Sequence, residues 1–276
     1  MSPRVRHILN LSGGKDSTAL AVFLRDRIPD LEYVFCDTEK ELPETYEYLD
    51  LVEAYLGRPI VRLKHDGRDF DHHLRLRHGY LPSRQNRWCT ELLKLRPFER
   101  YVGDDIVFSY VGIRADEDRT GYISHKSNIT TVYPFKEEGI TKRDVIRILE
   151  ESGLGLPKYY SWRSRSGCYF CFFQQKIEWV GLLENHPDLF EKARQYELNR
   201  EHGDYWSAAR GRHTWDERES LTELARPERV LQIKLEHQRR IRAAQQRQPN
   251  ASLLEVFGDE LEPDTFDERP CLICEL

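Results

Sequence analysis

Along the first 155 residues, short apolar runs alternate with longer stretches in which apolar positions recur at helical spacing. Val5–Leu11, Leu31–Cys36, Ile60–Leu63 and residues 106–113 read as strands, the last almost wholly apolar, as befits a strand buried on both faces. Between them, residues 19–24 read as a helix stopped by Pro29, and residues 44–56 as a helix with Leu49, Val52 and Leu56 on one face and Gly57 as its stop. Residues 129–133 add an edge strand closed by Pro134, and Thr141 caps a helix that runs through Leu149 and ends at Gly153. The alternation predicts an α/β fold with an open, largely parallel sheet flanked by helices. Further on, residues 177–183 and 189–198 read as helices separated by Pro187, and residues 228–247 as a long charged helix. The expected organisation is an α/β unit over 1–155, a helical region over 156–250 and an acidic tail over 251–276.

Composition narrows the class. The chain has 276 residues, 39% hydrophobic and 32% charged, enough for one large domain or a main domain with an appendage. No apolar run reaches the roughly 18 residues that cross a bilayer. Arg4, Arg6, His7 and Asn10 interrupt the first apolar run, so no signal-peptide core is expected and the cytoplasm is the expected compartment, without membrane association. Six cysteines in a reducing compartment point to metal ligands or catalytic thiols rather than disulfides.

Charge is uneven. Residues 251–276 hold eight acidic residues against one arginine, so the net charge of −5 conceals a mildly basic body. Residues 58–100 carry eleven Lys or Arg against five Asp or Glu, together with His65, His72, His73 and His78. Such an excess guides a polyanion or simply forms a solvated face. Residues 158–176 hold four basic residues and no acidic ones among Tyr159, Tyr160, Trp162, Tyr169 and three phenylalanines. That mixture suits single-stranded nucleic acid or a flipped nucleotide, although aromatics more often build core.

The candidate chemistry begins directly after the first strand, at Ser12-Gly13-Gly14-Lys15-Asp16-Ser17-Thr18. Two glycines permit a tight turn with the backbone close to a ligand, and the following helix aims unpaired N–H groups and its positive end at the same spot. Lys15 adds a full charge, and Ser12, Ser17 and Thr18 add hydroxyls. The spacing is not that of the ordinary P-loop. It resembles the pyrophosphate loop of the ATP pyrophosphatase superfamily, and four further segments sharpen the likeness. Cys36-Asp37-Thr38-Glu39 with Leu42-Pro43-Glu44-Thr45, Arg87-Trp88-Cys89-Thr90, Gly112-Ile113-Arg114 and Gly167-Cys168-Tyr169-Phe170-Cys171 are similar, in order, to signatures of the phosphoadenosine phosphosulfate reductase family.

That family contains sulfonucleotide reductases and ATP pyrophosphatases that serve sulfur insertion, including those of DNA phosphorothioation systems. The complete loop with its lysine favours ATP, and the ending Cys-Leu-Ile-Cys-Glu-Leu departs from the reductases' Glu-Cys-Gly-x-His tail. The resemblance implies an adenine nucleotide alpha hydrolase-like fold and an enzyme that cleaves ATP to AMP and pyrophosphate, adenylating a nucleic acid, a DNA backbone phosphate above all, for sulfur transfer from a cysteine desulfurase. Sulfite release from a sulfonucleotide, or nucleotide binding without turnover, are the alternatives. Residues 12–18, Asp37, Gly112, Arg114 and Arg119 are the expected nucleotide and phosphate contacts, with Lys15, Asp16, Asp37 and Arg114 catalytic and Mg2+ accompanying ATP. Two Cys-x-x-Cys pairs, Cys168 with Cys171 and Cys271 with Cys274, have metal-ligand spacing. By the resemblance, Cys89, Cys168, Cys171 and one tail cysteine hold a 4Fe-4S cluster; zinc is the competing metal. Cys36, inside an apolar strand, reads as a buried inert thiol. Self-association is left open.

Overall fold

Five strands form one sheet in the computed structural model, which describes residues 3–118, 126–198, 214–216 and 219–247. They are β1 (Val5–Leu11), β2 (Leu31–Cys36), β3 (Ile60–Leu63), β4 (Ile106–Tyr110) and β5 (Ile129–Val132). Their order is β3-β2-β1-β4-β5 and every pairing is parallel. The chain winds outward from β1 to β3, then returns to the other side of β1 for β4. That reversal makes a crevice beyond the carboxyl ends of β1 and β4, the place where open parallel sheets bind ligands.

Alternate residues of each strand serve opposite faces. Leu9 and Leu11 of β1 pack with α1 (Lys15–Leu24), α2 (Pro43–Leu56) and α7 (Lys142–Glu151) through Leu20, Leu24, Leu49, Val52, Val145 and Leu149. Ile8, Val34 and Val107 meet Phe98 and Val102 on the other face. The latter pair lies on α5 (Arg96–Val102), which continues α4 (Trp88–Thr90) through a π-helical turn, Glu91–Leu95. Pro97 explains the widened turn, because it has no amide for the ordinary helical hydrogen bond. The short α6 (Pro134–Glu137) follows β5.

β4 stops at Tyr110 rather than at Ile113. The Val111 amide still bonds the Val132 carbonyl at 3.0 Å, but Gly112 then leaves the ladder to run against α1. Helix α1 starts at Lys15, four residues before its apolar pattern, because the turn in front of it is closed by Ser17 rather than by hydrophobic residues. Helix α3 (Phe70–Leu76), capped by Asp69, which accepts the His72 amide at 2.7 Å, escapes the periodicity altogether.

A second core joins residues from both sides of position 155. Leu42, Phe70, Leu74, Leu81, Trp88 and Leu93 pack with Tyr159, Phe170, Trp179, Trp215, Leu221 and Ile233. It is built on α8 (Lys176–Asn185), α9 (Pro187–Leu198), α10 (Leu221–Leu224) and α11 (Pro227–Arg247). Here Phe170 stacks on Trp215 at 4.8 Å and 12°. Tyr159, Tyr169, Phe170, Phe172 and Phe173 are all buried, so these five build core, while Tyr160 and Trp162 are partly exposed. Among the described residues no helix is long and apolar enough to cross a membrane. The tail 251–276, with Cys271 and Cys274, lies outside the described residues, as does Arg119.

Candidate functional site

The loop after β1 sits at the crevice between β1 and β4. Gly13 has φ +73°, and a Cβ there would stand 2.7 Å from Thr45 Cγ2, so the Pro43-Glu44-Thr45 segment at the start of α2 is pressed onto the loop. Gly14 is the N-cap of α1. The Ser12 amide donates to Ser17 Oγ at 3.1 Å, and Ser17 Oγ donates to the Gly14 carbonyl at 3.3 Å, which closes the turn. Thr18 is fully buried beside Tyr48, so its hydroxyl belongs to the interior rather than to the mouth of the loop.

Asp16 ties the loop to the end of β4. Its Oδ2 is 3.1 Å from Lys15 Nζ and its Oδ1 is 2.9 Å from Arg114 Nη1. Arg114 is only 2% exposed and also meets Asp116 at 3.0 Å and Glu117 at 2.9 Å. Three carboxylates surround its guanidinium, and one of them, Asp16, also pairs with Lys15. Gly112 is needed for this arrangement, since a Cβ there would lie 2.9 Å from the Asp16 carbonyl oxygen.

Asp37, at the carboxyl end of β2, is 3% exposed. It accepts the Tyr46 hydroxyl at 2.8 Å and the Glu39 amide at 2.9 Å, with Lys64 Nζ at 3.8 Å. A neighbour missed by the sequence motifs, Glu41, is also buried: it accepts Thr38 Oγ1 at 2.8 Å and the Tyr46 hydroxyl at 3.3 Å. Burial pushes the Glu41 carboxyl up, against the opposing pull of Lys94. Thr38 Oγ1 stands 3.2 Å from Cys168 Sγ, so the nucleotide crevice and the cysteine loop adjoin.

Cys89, Cys168 and Cys171 line one narrow cleft together with Thr38, Phe70 and Leu93. The cleft wall is overwhelmingly apolar, and burial pushes the Cys168 thiol well up. Three sulfur donors around an apolar cleft fit an iron–sulfur cluster, whose metal would hold the thiolates that burial alone disfavours. As placed, no three His, Cys, Asp or Glu side chains among the described residues already form a metal site. Cys36 is apart from this set: its thiol faces the Lys94 carbonyl at 3.6 Å, and burial pushes it up to about 12.

The basic excess of residues 58–100 divides in two. Arg62 pairs with Asp50, Lys64 with Glu39, Arg96 with Glu91 and Arg100 with Asp66. Elsewhere in this stretch the Arg87 guanidinium lies 4.9 Å from the Phe173 ring centre and that of Arg77 lies 4.9 Å from the Trp88 ring, and Arg165, from the cysteine-bearing segment, lies 5.6 Å from Phe173. These arginines cover buried rings while remaining half-exposed.

The segment carrying the cysteines also covers the glycine loop after β1. Tyr159 donates its hydroxyl to the Gly13 carbonyl at 2.7 Å, the Lys15 amide donates to the Tyr160 hydroxyl at 3.2 Å, and a Cβ on Gly14 would lie 2.8 Å from Ser166 Oγ. Nothing in the local spacing of these residues announces a partner some 145 positions away.

The family model described as the phosphoadenosine phosphosulfate reductase domain matches residues 6–169, more than half of the chain. An uncharacterized protein of Methanocaldococcus jannaschii is 29% identical over 213 residues, 71% of this chain and 43% of that protein. The chain thus spans less than half the length of that relative. Among solved structures, phosphoadenylyl-sulfate reductase from Candida auris in a phosphate complex is similar with a TM-score of 0.46 and 16% identity, covering 61% of this chain and 82% of the other. The U34-tRNA thiolase of Methanococcus maripaludis with its [4Fe-4S] cluster is similar with a TM-score of 0.40 and 17% identity, covering 73% of each chain.

Proposed function

Because this chain belongs to the phosphoadenosine phosphosulfate reductase domain family, we propose that it is an ATP pyrophosphatase that adenylates a nucleic-acid phosphate, in DNA above all, for sulfur transfer. One observation carries the reading: Thr38, next to Asp37 at the edge of the nucleotide crevice, touches Cys168, so nucleotide chemistry and thiol chemistry share one boundary.

In the proposed reaction an oxygen of the acceptor phosphate attacks the alpha phosphorus of ATP. The bond to the bridging oxygen breaks, and pyrophosphate leaves with the electron pair. A phosphate oxygen is already ionised, so no general base is required. Catalysis then rests on positioning and on neutralising charge. Lys15, held by Asp16, sets its charge beside the first turn of α1, where the leaving pyrophosphate would lie. Arg114 holds that pair in place. Asp37 is the carboxylate best placed to meet Mg2+ or the ribose, because both oxygens of Asp16 are engaged by cations.

A persulfide delivered by a cysteine desulfurase would next attack the activated phosphorus through its terminal sulfur and release AMP, and a thiol would then cleave the S–S bond, leaving the sulfur on phosphorus and a disulfide on the donor. Cys89, Cys168 and Cys171 would hold a 4Fe-4S cluster, with a tail cysteine as a fourth ligand; when bound, it would supply a redox-active centre beside the crevice. The half-exposed Arg77, Arg87 and Arg165 support a polyanionic acceptor.

Incubating the full chain with alpha-labelled ATP, a sulfur donor, and DNA or RNA decides the matter. AMP and pyrophosphate are expected, with label passing through an acceptor adduct; ADP and orthophosphate would exclude the reaction. Comparing DNA with RNA identifies the acceptor, and release of sulfite from a sulfonucleotide would point to the reductase alternative.

A further inference from the structure

The first-turn amides of α1 are the donors a phosphate would use, and one of them already has an acceptor. The Lys15 N–H donates to the Tyr160 hydroxyl at 3.2 Å, and Lys15 Nζ lies 5.5 Å from the centre of the same ring. Tyr160 is held there. Its ring stacks on Tyr159 at 5.0 Å and 28°, and Tyr159, fully buried, anchors to the Gly13 carbonyl at 2.7 Å. Both tyrosines belong to the 3-10 turn Lys158–Ser161, which closes over the loop from the cysteine-bearing part of the chain.

We propose that the Tyr160 hydroxyl is a built-in competitor for the phosphate position at the Lys15 amide, and that a nucleotide phosphate binds by displacing it. The inference rests on the reading of residues 12–18 as a phosphate loop. Chemistry sets the direction of the exchange. The amide's bond to a neutral phenol is long and ordinary, whereas its bond to a phosphate oxygen is charge-assisted and about twice as strong. Phosphate wins the amide, but its affinity is lowered by the hydroxyl it must move. Tyr160 thus raises the threshold for occupancy by any phosphate that takes this amide.

The test is a calorimetric titration of the full-length protein with inorganic pyrophosphate and with orthophosphate. Tyr160→Phe keeps the ring and its stack but removes the competing oxygen. Pyrophosphate should bind roughly two- to tenfold more tightly, the range expected for releasing one hydrogen bond, and orthophosphate should gain at least as much. Unchanged or weaker binding by Tyr160→Phe would overturn the proposal, the latter by showing the hydroxyl to be a phosphate ligand. Tyr159→Phe serves as the control for loosening of the turn: it should lower the unfolding midpoint without tightening pyrophosphate binding, and a gain equal to that of Tyr160→Phe would also overturn the proposal. Lys15→Ala separates the two layers. If it weakens pyrophosphate binding while Tyr160→Phe has no effect, only the displacement fails; if it too has no effect, the phosphate-loop reading fails with it.

Discussion

Arg114 Nη1 lies 2.9 Å from Asp16 Oδ1, across a sequence separation of 98 residues. This ion pair joins the end of β4 to the first turn of α1 and fixes Lys15 through the other carboxylate oxygen. Arg114→Ala removes the guanidinium from the buried Asp16 and the partly buried Glu117 and leaves a cavity at a buried position. It should destabilise the fold by about 3–5 kcal/mol in denaturant unfolding. Arg114→Lys should recover only part of that, because an ammonium cannot fork between Asp16, Asp116 and Glu117.

Gly112→Ala tests the same junction through the backbone. The added Cβ would meet the Asp16 carbonyl oxygen at 2.9 Å, and a backbone atom cannot swing aside as a side-chain tip can. The variant should lose about 1–3 kcal/mol of stability, as overpacked sites do, and bind pyrophosphate more weakly. Unchanged calorimetry and unfolding curves would show that the two segments are free to part.

Anaerobic purification followed by absorption spectroscopy and metal analysis distinguishes the cysteines. Cys89→Ser, Cys168→Ser and Cys171→Ser should each lose the visible band of an iron–sulfur cluster, while Cys36→Ser should keep it. The apolar interior pushes the Cys36 thiol up to about 12, so it should also resist alkylation at neutral pH in the folded protein. A colourless, zinc-bearing protein would replace the cluster with the competing metal.

Glu197 provides a pH dependence remote from the site. Burial raises its carboxyl to about 7, although it accepts the Trp215 amide at 2.9 Å and the Leu221 amide at 2.7 Å. The folded chain therefore holds a proton that the unfolded chain releases near the ordinary carboxylate value. Between about pH 4.5 and 7 the folded state binds more protons, so this residue makes stability fall as pH rises through that window. Unfolding midpoints across the window should show the slope, and Glu197→Gln should flatten it.

Arg87→Ala and Arg165→Ala probe the acceptor side. If these guanidiniums meet a nucleic-acid backbone, each should weaken binding across sequences and reduce the salt slope by about one. Binding of DNA and RNA measured against salt concentration gives that slope directly. An unchanged slope would confine both arginines to covering Phe173.

The glycine loop and the strand preceding it are legible because they depend on local rules, an apolar run followed by residues that allow a tight turn. Gly112 and Arg114 stand out as a motif, but their packing does not: the glycine lies against the Asp16 carbonyl and the arginine pairs with the Asp16 carboxylate, contacts that no local spacing records. Glu41 left no sign, since a carboxylate between motif residues looks solvated until Thr38, Tyr46 and Cys168 surround it. The aromatic residues of 158–176 carried two meanings in sequence. Burial decided for the core at Tyr159, Tyr169, Phe170, Phe172 and Phe173, whose rings pack with Leu42, Phe70 and Trp88 and with residues of α8 to α11.

The order of strands and helices, the phosphate-loop composition and the Cys-x-x-Cys spacing were determined by the sequence alone, each set by neighbours within a few residues. The tertiary structure decided which of those pieces meet: Tyr160 on the Lys15 amide, Thr45 against Gly13, Thr38 beside Cys168, and Cys89 on the same cleft as Cys168 and Cys171. Such meetings depend on how the parallel sheet reverses at β1 and β4 and how the second core folds back over its edge. Local hydrogen bonding and hydrophobic spacing carry no record of that distant packing.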